Sequence, residues 1–239
     1  MKKLSIVNLI LLLSIIVYLF LSKSKENLSE NPKIIPEITT ERLNIVGEDG
    51  NKFMVLSNPK KQALATLDGK VSNEAKTERG TAGLLFFNEE GDEVGGLVYG
   101  IDDEGTYQLL TFDQYKGDQI MALRKDEYLE DGEWKRQYGL LIQERSPKRS
   151  DIINKEYNNI MQITDSVARE KKFNQFYEDV ENRAPQRLFI GRTYAEQTGL
   201  FLMDKNNKLK LQICVDKDGQ PHIDTFDDQG NKKQLVISD

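Results

Sequence analysis

The sequence contains one cysteine, one histidine, one tryptophan and only six prolines in 239 residues. With Cys214 alone, no intrachain disulfide can form, and no cysteine follows the N-terminal apolar run to carry a lipid. His222 and Cys214 together fall short of the ligands a zinc site needs. No G-x-S-x-G elbow is present to make His222 part of a serine triad. Asp224, two residues on, shares one side of a strand with it, which a surface histidine accounts for. Gly95-Gly96 lies inside an apolar run with no helix behind it. That excludes a phosphate cradle and marks a bulge or a close backbone approach. These absences leave no catalytic residue, no metal ligand set and no cofactor implied.

Long apolar runs are also scarce. The one that exists, Leu4 to Ser22, follows Lys2 and Lys3 and ends at Lys23. At ~19 residues it has the length a helix needs to cross hydrocarbon, and it exceeds a usual signal-peptide core. Residues 1–22 are therefore expected to form a transmembrane anchor, with a signal segment cut after Ser24 as the alternative. The expected location is a single pass in the cell membrane with the domain on the extracytoplasmic side, or a secreted or periplasmic domain after cleavage. Residues 23–40, with Pro32, Pro36 and many charges, read as a linker. Residues 41–239 read as a single β-rich domain.

The chain carries 33 Lys+Arg against 39 Asp+Glu. Removing Lys2, Lys3, Lys23 and Lys25 leaves 33 − 4 = 29 basic residues against 39 acidic ones, a net charge of −10. Such a surface repels nucleic acid and anionic lipid heads. Nucleic acid is excluded as a partner, and contact with the membrane is expected through the N-terminal segment only. An envelope protein or glycan is the partner class that remains.

After Thr40, short apolar runs alternate with acidic, Gly-bearing turns. Leu43–Val46 meets Phe53–Leu56, Gly83–Phe87 meets Val94–Val98, and Gln108–Phe112 meets Gln119–Leu123. Towards the C-terminus, Gly199–Met203, Leu209–Ile213, His222–Phe226 and Gln234–Ile237 repeat the scheme. Asp-Gly and Asn-bearing turns supply the positive φ that hairpins need. Leu84–Phe87 is apolar on both faces and should lie under a second layer. One long amphipathic helix is expected from Ser150, as N-cap, to about Asn182. Its stripe Ile153, Tyr157, Ile160, Met161, Val167 is expected to pack on the sheet. The fold class is mainly β: an antiparallel meander of hairpins, barrel-like or a two-layer sandwich, with this helix before the C-terminal strands.

The strings ERLNIVGEDGNKFMVLSN (residues 41–58), AGLLFFNEEGDEVGGLVY (82–99), LTFDQYKGDQIMAL (110–123) and RLFIGR (187–192) occur in this order. In them the chain resembles a family of signal-bearing, β-rich bacterial proteins of unassigned function. The resemblance implies an exported domain and carries over no catalytic or binding residue.

Among acidic residues, Asp216/Asp218 and Asp227/Asp228 lack calcium-loop spacing and suit hairpin turns. The adjacent pairs Glu89/Glu90, Asp102/Asp103 and Glu130/Asp131 sit on turn tips, whereas a carboxylate hydrolase needs two acids facing each other across a cleft. The loop Asp113–Asp118 is longer than a hairpin requires and presents an aromatic between acids. Asp113, Tyr115 and Asp118 are the candidate binding residues. The expected function is a non-enzymatic binding or structural module of the envelope. A carboxylate hydrolase acting on envelope polymers and a carrier of a small apolar ligand are the alternatives.

Overall fold

Seven turns share one pair of backbone hydrogen bonds, beginning at Gly47, Asn88, Gln114, Thr193, Asp204, Asp216 and Asp227. In each, the first residue's N–H donates to the fifth residue's carbonyl, and the fourth residue's N–H donates to the first residue's carbonyl. Six of them place positive φ at the fourth residue: Gly50, Gly91, Glu196, Asn207, Gly219 and Gly230. The turn from Gln114 differs, with its left-handed residue one position earlier at Lys116 (φ 54°). Asp216 Oδ1 accepts from the N–H groups of Asp218 and Gln220, and Asp227 Oδ1 from those of Gln229 and Asn231. Turn geometry thus accounts for these acids without calcium.

The computed structural model describes residues 11–19, 34–72, 77–101 and 105–235. The strands are β1 (Arg42–Val46), β2 (Lys52–Ser57), β3 (Thr66–Leu67), β4 (Lys70–Val71), β5 (Ala82–Phe87), β6 (Glu93–Ile101), β7 (Gly105–Asp113), β8 (Gln119–Glu130), β9 (Glu133–Gln143), β10 (Gln186–Arg192), β11 (Thr198–Met203), β12 (Leu209–Val215), β13 (Pro221–Phe226) and β14 (Lys232–Gln234). Twelve of these form one antiparallel meander in sequence order from β1 to β14, with β3–β4 as a separate two-stranded ribbon. The chain is therefore mainly β. β1 and β14 end the sheet unpaired with each other, so it does not close into a barrel.

The chain divides at Thr40/Glu41. In the first unit, residues 11–19 form a helix, α1. Among the described residues no helix is long and apolar enough to cross a membrane. The remainder of the expected anchor, the Ser24 cleavage point and Asp102/Asp103 lie outside the described residues.

Within the second unit, the register aligns side chains across eleven strands of the sheet, β1, β2 and β5 to β13. One row reads Leu43, Leu56, Leu84, Leu97, Leu110, Leu123, Leu140, Ile190, Leu200, Ile213, Ile223. Beside it on the same face run Ile45, Met54, Phe86, Gly95, Phe112, Met121, Ile142, Leu188, Leu202, Leu211, Thr225. Ten of these side chains leave 37–52% of their surface in water. The opposite face holds the core. There Val55, Leu85 and Phe87 pack with Ala63 from the segment following β2, and Gln62 Nε2 fixes that segment by donating to Gly83 O at 3.0 Å. Further along, the rings of Phe189 and Phe201 meet at 6.0 Å, tilted by 31°, beside buried Cys214, and burial pushes the Cys214 thiol up. Cys214 is thus a packed strand residue. Gly139 and Gly191 make room for the Phe189 ring, because a Cβ on either would meet it within 3.0 Å. Gly96 is likewise a close approach: a Cβ there would lie 2.6 Å from Leu84 O.

The expected single long helix is two. α2 (Ser150–Met161) and α3 (Ser166–Glu178) are separated because the Asp165 carboxylate accepts from Ala168 N–H at 2.7 Å and starts a new helix. The N-cap of α2 is Arg149 rather than Ser150. The helices pack on each other rather than laying a stripe on the sheet. Tyr157 meets Phe173 at 5.4 Å and Phe176 at 6.2 Å, while Met161 and Val167 remain exposed.

Candidate functional site

The turn after β7 is the point where the meander meets the helical insert. Gln114 Nε2 donates to Ser146 O at 2.8 Å, and Lys116 O accepts from Ser150 N at 3.0 Å. Ser146 Oγ donates to Glu181 O at 3.0 Å, which brings the segment after α3 to the same place.

Two constellations are assembled here. The first is an ion cluster on the turn tips. Lys116 Nζ lies 2.6 Å from Asp68, 2.5 Å from Glu90 and 2.6 Å from Asp92. Oxygens of the three carboxylates lie within 4.8 Å of one another, close enough to ligate one metal ion, and the lysine ammonium sits among them. Three hairpin tips converge: Asp68 from β3–β4, Glu90 and Asp92 from β5–β6, Lys116 from β7–β8. The left-handed φ of Lys116 belongs to this geometry, and Asp68 (φ 52°) shares the feature. Lys116 and Arg149 hold the Asp68 carboxyl down at about 2. The three acids hold the Lys116 ammonium well above its usual range.

Tyr115 is 65% exposed. Its hydroxyl lies 3.2 Å from both Glu90 carboxylate oxygens, and its ring faces the Lys116 ammonium at 5.3 Å. The hydrogen bond to Glu90 pushes its phenol up.

The second constellation is a cleft of about 220 Å³ behind this tip. Asp113, Asp118, Arg79, Glu93, Arg145, Lys148 and Arg183 contribute to its lining. Glu93 is held by both terminal nitrogens of Arg79, at 2.5 and 2.6 Å. Asp118 pairs with Arg145 at 3.0 Å, and Arg145 Nε donates to Gln119 O at 2.7 Å. Lys148 reaches Asn182 Oδ1 at 2.8 Å and Glu156 at 3.1 Å. Two groups in the lining keep a buried polar atom without a protein partner: Asp113 Oδ1, an acceptor, and Arg183 Nε, a donor. Burial, reinforced by the charges of Asp118 and Glu93, pushes the Asp113 carboxyl up to about 7.

Of the three candidate binding residues, Asp113 and Asp118 line the cleft, whereas Tyr115 stands outside it over the ion cluster. The sequence reading missed Arg79, Glu93, Arg145 and Arg183. None belongs to a recognisable local motif, and Arg79, Arg145 and Arg183 lie in connecting segments that only the tertiary fold brings together with Glu93 on β6.

His222 does not act with Asp224. Its Nε2 lies 2.8 Å from Asp216 Oδ2, whereas buried Asp224 accepts from Gln212 Nε2 at 2.7 Å and meets Lys232 at 3.1 Å.

Comparison with protein-family models, curated proteins and solved structures finds no match to this chain.

Proposed function

We propose that the domain is a non-enzymatic binding module of the bacterial cell envelope, held at the membrane by residues 1–22 and given reach by the linker 23–40. Its binding site is the cleft of Asp113, Asp118 and Arg183. One observation carries the reading: a buried acceptor and a buried donor, Asp113 Oδ1 and Arg183 Nε, line one cleft without partners. Unpaired buried polar atoms are costly, and ligand or water resolves the cost. A hydroxyl or an amide both donates and accepts, so a glycan or polypeptide unit matches the pair. At about 220 Å³ the cleft suits one such unit rather than a drug-sized molecule. The many charged residues in its lining favour a polar ligand over a small apolar one. The open, one-layer sheet fits a sandwich completed from outside better than a barrel.

The test is co-sedimentation of the full chain with insoluble cell-wall glycan, alongside capture of solubilised envelope proteins. Asp113→Ala and Arg183→Gln should each weaken retention tenfold or more while leaving the circular dichroism spectrum unchanged. Equal retention by the variants, or none by wild type in either assay, removes the reading. Protease digestion of intact spheroplasts checks the address, and a domain digested only after lysis sets it on the cytoplasmic side.

A second reading, hydrolysis, is favoured by Asp113 itself. A carboxyl raised to about 7 in a cleft is the protonated acid that carboxylate hydrolases use near neutral pH. Glu93 and Asp118, the nearby carboxylates, are bound to Arg79 and Arg145. Release of reducing ends from cell-wall glycan by wild type, and none by Asp113→Asn, would favour this reading over simple binding.

A further inference from the structure

We infer that the apolar face of the twelve-stranded sheet is an interface with a second copy of this chain, packed face to face as the missing layer of a β-sandwich. The observation is the register. Eleven strands of the sheet, β1, β2 and β5 to β13, each contribute Leu or Ile to one continuous row, and a second, mostly apolar row runs beside it on the same face. The opposite face has its core and its covering segment. On this face ten side chains stay exposed, and none of the Leu, Ile, Met or Phe side chains in the two rows is buried.

Area decides whether such a face can hold a partner. Ten side chains are 37–52% exposed. At on the order of 80 Å² each they offer roughly 800 Å², which is what one partner contributes to a standard stable interface. Soluble proteins seldom leave so large a contiguous apolar patch uncovered.

Shape selects the occupant. The band is two residues wide and crosses eleven strands, and sheets pack against sheets through regular apolar rows ~10 Å apart with strands nearly aligned. A second copy supplies the same rows, so a twofold axis near the middle makes the face complementary to itself. Leu123, 52% exposed, is the middle residue of the Leu/Ile row.

The test uses the full chain in its own membranes. Leu123→Cys should be joined to a second chain by a short bis-maleimide, giving twice the 27.4 kDa of the chain. Asp218→Cys, on an exposed turn, should stay at single mass. Adding Leu97→Lys to Leu123→Cys should lower cross-linking at least tenfold while protease resistance stays that of wild type. If that variant loses protease resistance, Ile213→Lys in the same background takes its place and is judged by the same loss of cross-linking. Absence of a cross-link at Leu123 overturns the inference. So does equal cross-linking at Asp218, or cross-linking that both lysine variants leave intact, which would assign association to the N-terminal apolar run. A single-mass Leu123→Cys chain shielded from an impermeant thiol reagent only while lipid is present would give the face to the membrane instead, and also overturns it.

Discussion

Lys116 and Asp92 meet at 2.6 Å with only 10% and 2% of their side chains exposed, joining two hairpin tips about as far from solvent as a turn allows. Removing the cation leaves Asp68, Glu90 and Asp92 facing one another with Arg149 as the remaining counter-charge. Lys116→Met should therefore lower the melting temperature by several degrees at pH 7. In this variant, unlike wild type, millimolar calcium should recover part of the loss, because three carboxylates converge where the ammonium was. Acid gives a second readout. Asp68 is held at about 2 in the fold against 3.8 unperturbed. Its contribution is present above ~4 and is lost as pH falls towards 2, and scans from pH 5 to 2 should show this slope flattened in Lys116→Met.

Asp113 has the opposite sign. Its folded carboxyl sits at about 7, above 3.8, so the folded state binds the extra proton and stability declines as pH rises from ~4 to ~7. The cost above pH 7 is on the order of 2 kcal/mol after allowing for partial exposure. Asp113→Asn should raise stability at pH 8 and change it little at pH 4. Denaturant titrations at the two pH values measure the difference, and an equal effect at both would show that Asp113 is not the titrating group.

Tyr115 is exposed, and it meets Glu90 and Lys116 on the turn tips. Tyr115→Ala should change stability by less than ~1 kcal/mol, far from the ~3–5 kcal/mol of a truncated core aromatic. If partner capture falls with this variant while the melting temperature holds, the tip belongs to the binding surface along with Asp113.

The hairpins were readable because their turns are chemically explicit: Asp, Asn and Gly stand where the backbone needs a side-chain acceptor or positive φ. The β8–β9 hairpin was missed although Asp131-Gly132 marks its turn, because the flanking residues Tyr128–Tyr138 mix charged and aromatic side chains without the short apolar runs that mark the other hairpins. The break between α2 and α3 was missed because the apolar stripe continues across it, and only the Asp165 cap betrays it. The cleft was half legible. Asp113 and Asp118 announce themselves as acids bracketing one turn, which has the same length as the six others of its kind, but their counter-charges Arg79 and Arg145 lie in segments 34 and 27 residues away (113 − 79 and 145 − 118). Which face a Leu occupies also depends on register across the whole meander, which no single hairpin reveals.

Gly132 and Gly139, both within the β8–β9 hairpin, separate two reasons for glycine. Gly132 has φ +82° and open space within 4 Å of where a Cβ would stand, so alanine there meets only backbone strain. Gly139 is crowded instead: its Cβ would lie 2.2 Å from Ile190 O and 2.8 Å from Gly191 Cα, both backbone atoms fixed by the β9–β10 pairing. Gly132→Ala should cost about 1 kcal/mol, the usual penalty of a left-handed alanine. Gly139→Ala must push two strands apart and disturb the Phe189 ring that covers it. Its cost should reach or exceed the ~1–3 kcal/mol of an overpacked core. Urea melts of the two variants give the comparison directly. A smaller loss for Gly139→Ala than for Gly132→Ala would mean that β9 and β10 do not approach as closely as this register requires.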